Sequence, residues 1–155
     1  MLFRSAIHDN ILIAHEIFHS FKNRKGKEAW MALKFDMEKA YDKIEWGFLF
    51  KVMEKFGFHS KVINWIKECV TTVSFSVLVN NGPTDMFTPQ RGLRQGDPLS
   101  PFLFILCAET LARNLQFESN SNPNLGFPIV KNCITIPFLT FADDIIIFAK
   151  ANNNA

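Results

Sequence analysis

The chain has 155 residues, 48% of them hydrophobic, which suits one globular domain and excludes a disordered chain. Its net charge of +2 does not by itself indicate a nucleic-acid partner, whereas 17 phenylalanines require a large buried core or a neighbouring surface. The three cysteines form no close pair, no secretory signal is recognisable, and no apolar run approaches the roughly 20 residues of a membrane span. We therefore expect an intracellular protein, in the nucleus or the cytoplasm, with buried, reduced thiols.

The first predicted element is an amphipathic helix over residues 10–23, with Asp9 as its N-cap. The basic segment 22–27 is predicted to be a solvated turn, and a phosphate contact is the alternative. One face of the helix is apolar at helical spacing and consists of Ile11, Ala14, Ile17, Phe18 and Phe21.

A strand is predicted over residues 30–37, and its two faces differ in chemistry. The odd-numbered face is apolar and is expected to pack on helices, whereas the even-numbered face is small or charged and is expected to line a cleft. The apolar face consists of Met31, Leu33, Phe35 and Met37, and the other of Ala32, Lys34 and Asp36.

Two helices, over residues 43–56 and 61–70, are predicted next. Asp42 and Glu45 have the spacing of a capping box at the start of the first helix. Gly57 can end that helix, and Ser60 can cap the second.

The middle of the chain is predicted to form a β-hairpin, a loop and a helix. Residues 74–79 and 85–88 would pair across an Asn-Asn-Gly-Pro turn, and residues 89–100 are rich in loop formers. Ser100 and Pro101 can begin a helix that ends before a polar loop at residues 118–124. The helix is expected to be largely buried through Phe102, Leu103, Ile105, Leu106, Leu111 and Leu115.

Two adjacent carboxylates lie near the end of the chain. Strands predicted over residues 133–141 and 145–149 leave Asp143 and Asp144 at the tip of a short hairpin. The two like charges repel each other, and no Lys or Arg lies within three residues of the pair. Carboxylate oxygens suit Mg²⁺, and Asp36 could complete a two-ion site, while a plain polar turn is the alternative from these residues alone.

Three separated blocks of sequence carry a family resemblance. They are KFDMEKAYDKIEW at residues 34–46, QRGLRQGDPLSPFLF at residues 90–104 and FADDIIIFAK at residues 141–150. With DNILIAHEIFHSFK at residues 9–22 before them, they resemble the motifs of reverse transcriptases of LINE-type retrotransposons, which lack long terminal repeats. One departure is FRSAIHDN at residues 3–10, which lacks the glycine of the family pattern and has its arginine one position farther out.

The resemblance implies a catalytic role for the three aspartates. Asp36, Asp143 and Asp144 would be the ligands of two Mg²⁺ ions, with Asp144 the least essential. The backbone at Phe35 and Met37 would lie beside the incoming triphosphate.

The resemblance also assigns substrate contacts. Tyr41 would be the steric gate whose ring excludes a ribose 2′-hydroxyl and so selects deoxynucleotides. Gln95 and Gly96 would contact the incoming nucleotide and the template base, and Arg94, together with Arg91, is a candidate for phosphate or template contacts. Three further residues are expected to have supporting roles: Asp97 as a turn residue, and Lys34 and Lys39 as solvated or charge-balancing lysines.

The implied fold is α+β: a ferredoxin-like polymerase palm, with an antiparallel sheet backed by helices and a partial fingers segment. Residues 1–28 would be the fingers segment, residues 29–150 the palm and fingers core, and residues 151–155 a tail. The implied activity is that of an enzyme, an RNA-directed DNA polymerase that adds deoxynucleotides to a primer 3′-hydroxyl. Its partners would be an RNA template, a DNA primer, deoxynucleoside triphosphates and the missing fingers and thumb of a longer polyprotein, with no membrane.

Other functions share some of these features. A nucleic-acid-binding relic without catalysis would bind RNA–DNA hybrids indifferently to Mg²⁺. A maturase of the group II intron type shares the three blocks and would bind one structured intron RNA. A plain interaction domain would have no affinity for nucleic acid.

Overall fold

The computed structural model describes residues 7–23, 29–130, 134–141 and 143–151. These residues form an α+β fold, as predicted, and they contain no helix long and apolar enough to cross a membrane. The elements are α1 (Ile7–Asn23), β1 (Trp30–Asp36), α2 (Trp46–Lys55), α3 (Ser60–Thr71), β2 (Leu78–Val79), β3 (Gly82–Pro83), α4 (Ser100–Ser121), β4 (Phe127–Val130), β5 (Ile134–Ile136), β6 (Phe138–Phe141) and β7 (Asp144–Lys150).

The chain forms two compact units. Met1–Glu38 together with Ala112–Ala155 form one, which we call the sheet unit, and Lys39–Leu111 form the other, which we call the hairpin unit. The domain boundaries predicted from the sequence, at residues 28 and 150, stay a prediction.

The sheet unit is built on an antiparallel sheet with strand order β1-β7-β6. Strands β6 and β7 form the predicted hairpin, in which Phe141 pairs with Asp144. The single strand predicted over residues 133–141 is wrong, because Pro137 separates β5 from β6, and β5 pairs with β4 in a second sheet. Proline has no N–H to continue a strand ladder, which accounts for the break. Residue 133 lies outside the described residues.

Helix α1 begins at Ile7, so Asp9 lies inside its first turn and is not the N-cap that the sequence predicts. An acidic side chain there still favours the helix through its dipole. Of the predicted apolar face, Ile17 is fully buried, but Ile11 and Phe18 are each more than 40% exposed. Most of the basic segment that follows lies outside the described residues.

The even-numbered face of β1 divides into a packed half and an open half. Ala32 packs on a buried cluster of Ile17, Phe127, Leu139 and Phe148, contrary to the predicted cleft. Only the later residues of that face, Lys34 and Asp36, are exposed. The alternation of residue types could not show that this cluster covers the first half of the face.

The odd-numbered face is also only partly as predicted. Met37 packs with Phe138 and Ile145, against Ala112 and Leu115 of α4. Two other members of the face do not follow the prediction, since Leu33 is 43% and Phe35 51% exposed.

In the hairpin unit, both helix starts differ from the prediction. Helix α2 begins at Trp46 and Glu45 is its N-cap without a side-chain cap bond, so the predicted capping box is wrong. The preceding residues form turns, in which the Lys43 N–H donates to the Lys39 carbonyl at 3.1 Å. For α3 the cap is His59 instead of Ser60, because the His59 Nδ1 accepts from the Lys61 N–H at 3.2 Å. The predicted end of α2 at Gly57 is confirmed.

A β-hairpin forms where one is predicted, but the predicted strand bounds are wrong, because Gly82 and Pro83 belong to a strand and not to the turn. Strands β2 and β3 pair across Asn80 and Asn81, whose φ angles of 49° and 65° suit a tight turn, and a further bridge joins Phe75 to Phe87.

Helix α4 begins at Ser100, one residue before the start predicted at Pro101, and continues to Ser121, so the predicted loop at residues 118–124 begins too early. Leu103 is buried, whereas Phe102 is 68% exposed, so the prediction of a largely buried helix is wrong. The sequence of α4 does not show which face of the helix is buried, because apolar side chains occur all round its first turns.

Two of the three cysteines lie in described residues, both as free thiols. Cys107 is buried as expected, but Cys69 is exposed, contrary to the prediction. Cys133 lies outside the described residues.

Candidate active site

Three aspartates meet where β1 ends and β7 begins. Asp36 is the last residue of β1 and pairs directly with Asp144, the first residue of β7. Directly opposed residues of antiparallel strands have Cβ atoms about 4.5–5.5 Å apart on one face of the sheet. Asp143 precedes Asp144 in the turn, and its carbonyl accepts from the Met37 N–H at 3.2 Å. The register thus brings together the three residues that the sequence selects.

The site is open to solvent. Asp36 and Asp143 are exposed, and Asp144 is half-buried. Carboxylates in such a position remain hydrated until a cation binds, and a nucleic acid or nucleotide could reach them from outside.

Lys34 supplies the positive charge of this end of the sheet. Its Nζ lies 3.0 Å from Asp144 Oδ2, and the lysine and aspartate side chains are 60% and 32% exposed. The pKa of Lys34 is raised, first by its hydrogen bond to Asp144 and the charge of Asp144, then by the charges of Asp36 and Asp143. The charge-balancing role expected for Lys34 is therefore visible in its contacts.

The three aspartates fit a magnesium site in chemistry, but their side chains are not gathered around one point. Carboxylate oxygens are the ligands that Mg²⁺ prefers, and the ammonium of Lys34 shows that the site attracts a cation. Among the described residues, however, no three Asp, Glu, His or Cys side chains are grouped so as to hold a metal ion. Asp144 contacts Lys34, whereas Asp36 and Asp143 are the more exposed of the three carboxylates.

Phe35 and Met37 flank Asp36 on β1. Phe35 pairs with Ile145 and leaves about half of its side chain exposed. The Met37 N–H is already bonded to the Asp143 carbonyl, so the backbone at this position ties the end of β1 to the turn.

In the hairpin unit, Tyr41 has a fixed ring orientation. The ring is half-buried and stacks on Phe104, with centroids 4.7 Å apart and planes 11° apart. The Tyr41 carbonyl accepts from the Leu93 N–H at 2.9 Å, which ties the residue to the loop of residues 89–100.

The remaining predicted substrate contacts lie in that loop and are exposed. The Gln95 Nε2 donates to Asp42 Oδ1 at 3.4 Å, and Gly96 has a φ of +86°. Arg94 is exposed, whereas Arg91 forms a 3.2 Å ion pair with Glu45.

Gly92 is a structural residue of the loop that the sequence reasoning missed. Its N–H donates to the Ile44 carbonyl at 2.8 Å, and its own carbonyl accepts from Trp46 Nε1 at 2.7 Å. Its φ is +93°, and a Cβ built on it would lie 2.8 Å from the Asp42 carbonyl oxygen. The two glycines of this polar loop, Gly92 and Gly96, were the available signal, and the sequence did not tell which of them makes the close approach.

The hairpin unit also contains a cleft of about 530 Å³. Its wall is mostly apolar, and most of its polar side chains come from the loop of residues 89–100. The apolar side is formed by Val70, Phe75, Val77, Phe87 and Leu103, and the polar side by Arg91, Arg94, Gln95 and Asp97.

An α+β fold with acidic side chains on two paired strands of an antiparallel sheet matches the palm of a nucleic-acid polymerase. The family model for reverse transcriptase (RNA-dependent DNA polymerase) matches residues 3–155. The chain therefore belongs to the reverse transcriptase family.

The chain is also similar to proteins of retrotransposable elements. It is 30% identical over 125 residues to a Pol polyprotein from the type-1 retrotransposable element R2 of Popillia japonica, covering 80% of this chain and 17% of that protein. It is 45% identical over 67 residues to an uncharacterized mitochondrial protein of Arabidopsis thaliana, covering 43% of this chain and 55% of that protein. The chain thus spans about half of one relative and about a sixth of the other.

A solved structure supports the fold. Telomerase from Candida tropicalis, in complex with a fragment of telomeric RNA, matches 97% of this chain and 25% of that chain with a TM-score of 0.65. The identity is 17%, so the likeness concerns the fold alone.

Proposed function

We propose that this chain carries the catalytic palm of an RNA-directed DNA polymerase that adds deoxynucleotides to a primer 3′-hydroxyl. The observation that carries the proposal is the pairing of Asp36 with Asp144 across β1 and β7, with Asp143 in the adjoining turn. In a reverse transcriptase, carboxylates so arranged on the palm are the expected ligands of catalytic metal ions.

Asp36, Asp143 and Asp144 are proposed to hold two Mg²⁺ ions, with Asp144 the least essential of the three. When bound, such ions activate the attacking hydroxyl and stabilise the leaving pyrophosphate. Phosphoryl transfer depends mainly on positioning and charge neutralisation, so few other side chains are required. The exposure of Asp36 and Asp143 suits this role, because primer and triphosphate must both reach them.

Tyr41 is proposed as the gate against ribonucleotides. Its stacking on Phe104 supports the proposal, because a gate must hold its ring in one orientation to exclude a 2′-hydroxyl. Gln95, Gly96 and Arg94 are proposed to contact the incoming nucleotide and the template. Their exposure in one loop is consistent with that role. The proposed partners are accordingly an RNA template, a DNA primer and deoxynucleoside triphosphates.

The test is primer extension on an RNA template with deoxynucleotides and Mg²⁺. Asp143→Asn removes the charge of a proposed ligand with little change of shape, and we expect it to lower the extension rate by about 10³-fold or more. Asp85→Asn is the matched control, because Asp85 is exposed in the hairpin unit. Equal rates for the wild type and Asp143→Asn would contradict the proposal.

A second candidate is a relic that binds nucleic acid without catalysis. It is favoured by the absence of a three-carboxylate group among the described side chains and by the pairing of Asp144 with Lys34. Binding of an RNA–DNA hybrid that is unchanged by Mg²⁺, without extension by the folded wild type, would support it. Selective binding of one structured intron RNA would instead indicate a maturase.

A further inference from the structure

Lys34 is the residue of this site that the two-metal scheme does not use. It lies two residues before Asp36 on the same face of β1, and its backbone partner on β7 is Ile146. Asp144 is therefore its diagonal neighbour, at a separation of about 7–8 Å between Cα atoms that a long side chain can span. The ammonium does span it and reaches Asp144 Oδ2 at 3.0 Å.

This contact differs from an ordinary surface ion pair in its surroundings. The carboxylates of Asp36 and Asp143 also act on the Lys34 ammonium, so one cation balances three nearby anions. Adjacent carboxylates repel one another, and a cation among them lowers that repulsion. A divalent ion bound by the same carboxylates would have to coexist with the ammonium or displace it.

We propose that Lys34 is a positioning residue that holds the Asp144 carboxylate and so lowers the affinity of the site for a divalent ion. Binding of a divalent ion then competes with the contact between Lys34 and Asp144. The inference rests on the proposed function, because it takes Asp36 and Asp143 as metal ligands. It adds to that function a residue that sets the affinity of the site for divalent ions.

The size of the effect follows from Coulomb's law. A single positive charge about 6 Å from a divalent ion, in water-like surroundings, changes the dissociation constant of that ion roughly tenfold. Removing the ammonium should therefore tighten metal binding by about that factor. Exposed ion pairs contribute little to folding stability, so the midpoint of thermal unfolding should change little. A purely structural role would give the reverse pattern.

The experiment measures Mn²⁺ binding by electron paramagnetic resonance in the absence of nucleic acid and nucleotide. We expect Lys34→Met to lower the Mn²⁺ dissociation constant roughly tenfold and Lys34→Arg, which keeps the charge, to leave it near the wild-type value. Lys22→Met is the matched control, since it removes one lysine charge from the last turn of α1 in the same unit. An unchanged or raised dissociation constant for Lys34→Met would overturn the inference.

A double-mutant cycle tests whether Lys34 acts through Asp144. In an Asp144→Asn background the lysine loses its anchor, and Lys34→Met should change the dissociation constant by about twofold or less. A full tenfold effect in that background would overturn the positioning role.

The same titration separates this inference from the proposed function. Loss of Mn²⁺ binding in Asp36→Asn, with no effect of Lys34→Met, would leave the metal site standing and reject only the inference. Mn²⁺ binding that is indifferent to both Asp36→Asn and Asp143→Asn would reject the proposed metal site itself and the inference with it.

Discussion

Replacing Gly92 by alanine should destabilise the chain more than the same change at another glycine of the loop. Gly92 has a φ of +93°, which side chains rarely adopt, and its Cβ would meet the Asp42 carbonyl oxygen at 2.8 Å and the Asp42 Cα at 3.1 Å. Both atoms belong to the backbone, so neither can turn aside. The loop must therefore move, and with it the hydrogen bonds of Gly92 to Ile44 and Trp46.

The expected loss of stability in Gly92→Ala has two causes. A strained backbone conformation costs about 1–3 kcal/mol. Overpacking against neighbours that cannot move adds about 1–3 kcal/mol. The free energy of unfolding of Gly92→Ala should therefore fall by roughly 2–5 kcal/mol, measured by urea denaturation.

Two other glycines distinguish the cost of backbone strain from the cost of overpacking. Gly96 has a φ of +86° but no atom within 4 Å of a built Cβ, so Gly96→Ala should show the strain alone, about 1–3 kcal/mol. Gly47 lies in α2 with open space around it and no positive φ, so Gly47→Ala should be neutral or stabilising by up to about 1 kcal/mol. If Gly92→Ala proves no more destabilising than Gly96→Ala, the close approach to Asp42 is not a tight contact and the reasoning fails.

Three further predictions concern the core, the thiols and the gate. Phe148 is fully buried in the sheet unit, so Phe148→Ala should lower the free energy of unfolding by about 3–5 kcal/mol, and a loss below about 1 kcal/mol in urea denaturation would contradict the described core. Burial raises the pKa of Cys107 to about 11, whereas Cys69 is exposed. In a Cys133→Ser variant at pH 8, iodoacetamide should therefore label Cys69 well before Cys107. Equal labelling rates, measured by mass spectrometry, would contradict the burial of Cys107. The unfolded Cys107 thiol ionises at a lower pH than the folded one, so its contribution to stability should decline as pH rises from about 9 to about 11. Tyr41→Ala should increase ribonucleotide incorporation in primer extension while Tyr41→Phe does not, and the same low incorporation in both would remove Tyr41 from the gate role.

Part of the site could be anticipated from the sequence, because short hairpins and alternating strands are local patterns. Asp143 lies in the turn of a hairpin whose strands are strongly apolar, Asp144 begins its second strand, and Asp36 lies at the polar end of β1. The direct pairing of Asp36 with Asp144 is a matter of strand register between distant segments, which no local pattern determines.

Burial was less predictable because it depends on which element covers which face. Ala32, on the even-numbered face of β1, packs on the cluster of Ile17, Phe127, Leu139 and Phe148, although alternation alone made that face the polar one. Phe102 of α4 is exposed although it is apolar and lies in a strongly apolar helix. Tertiary packing decides such cases, and it can override residue type.

The predicted starts of α2 and α3 were wrong for a different reason. The spacing of Asp42 and Glu45 satisfies the capping-box pattern, but turns over the preceding residues move the helix start to Trp46. At α3, His59 caps the helix with a ring nitrogen, a less common acceptor than the serine hydroxyl beside it. Competing caps one residue apart cannot be separated without the backbone conformation.

The most direct test of the central claim is a crystal of the chain soaked with Mn²⁺ and a deoxynucleoside triphosphate, recorded at the manganese absorption edge. If the end of β1 and the start of β7 form the catalytic metal centre, anomalous density should lie between the carboxylates of Asp36 and Asp143, and Lys34 should have left Asp144. Manganese bound at other side chains, with Asp36 and Asp143 free of metal, would contradict the account.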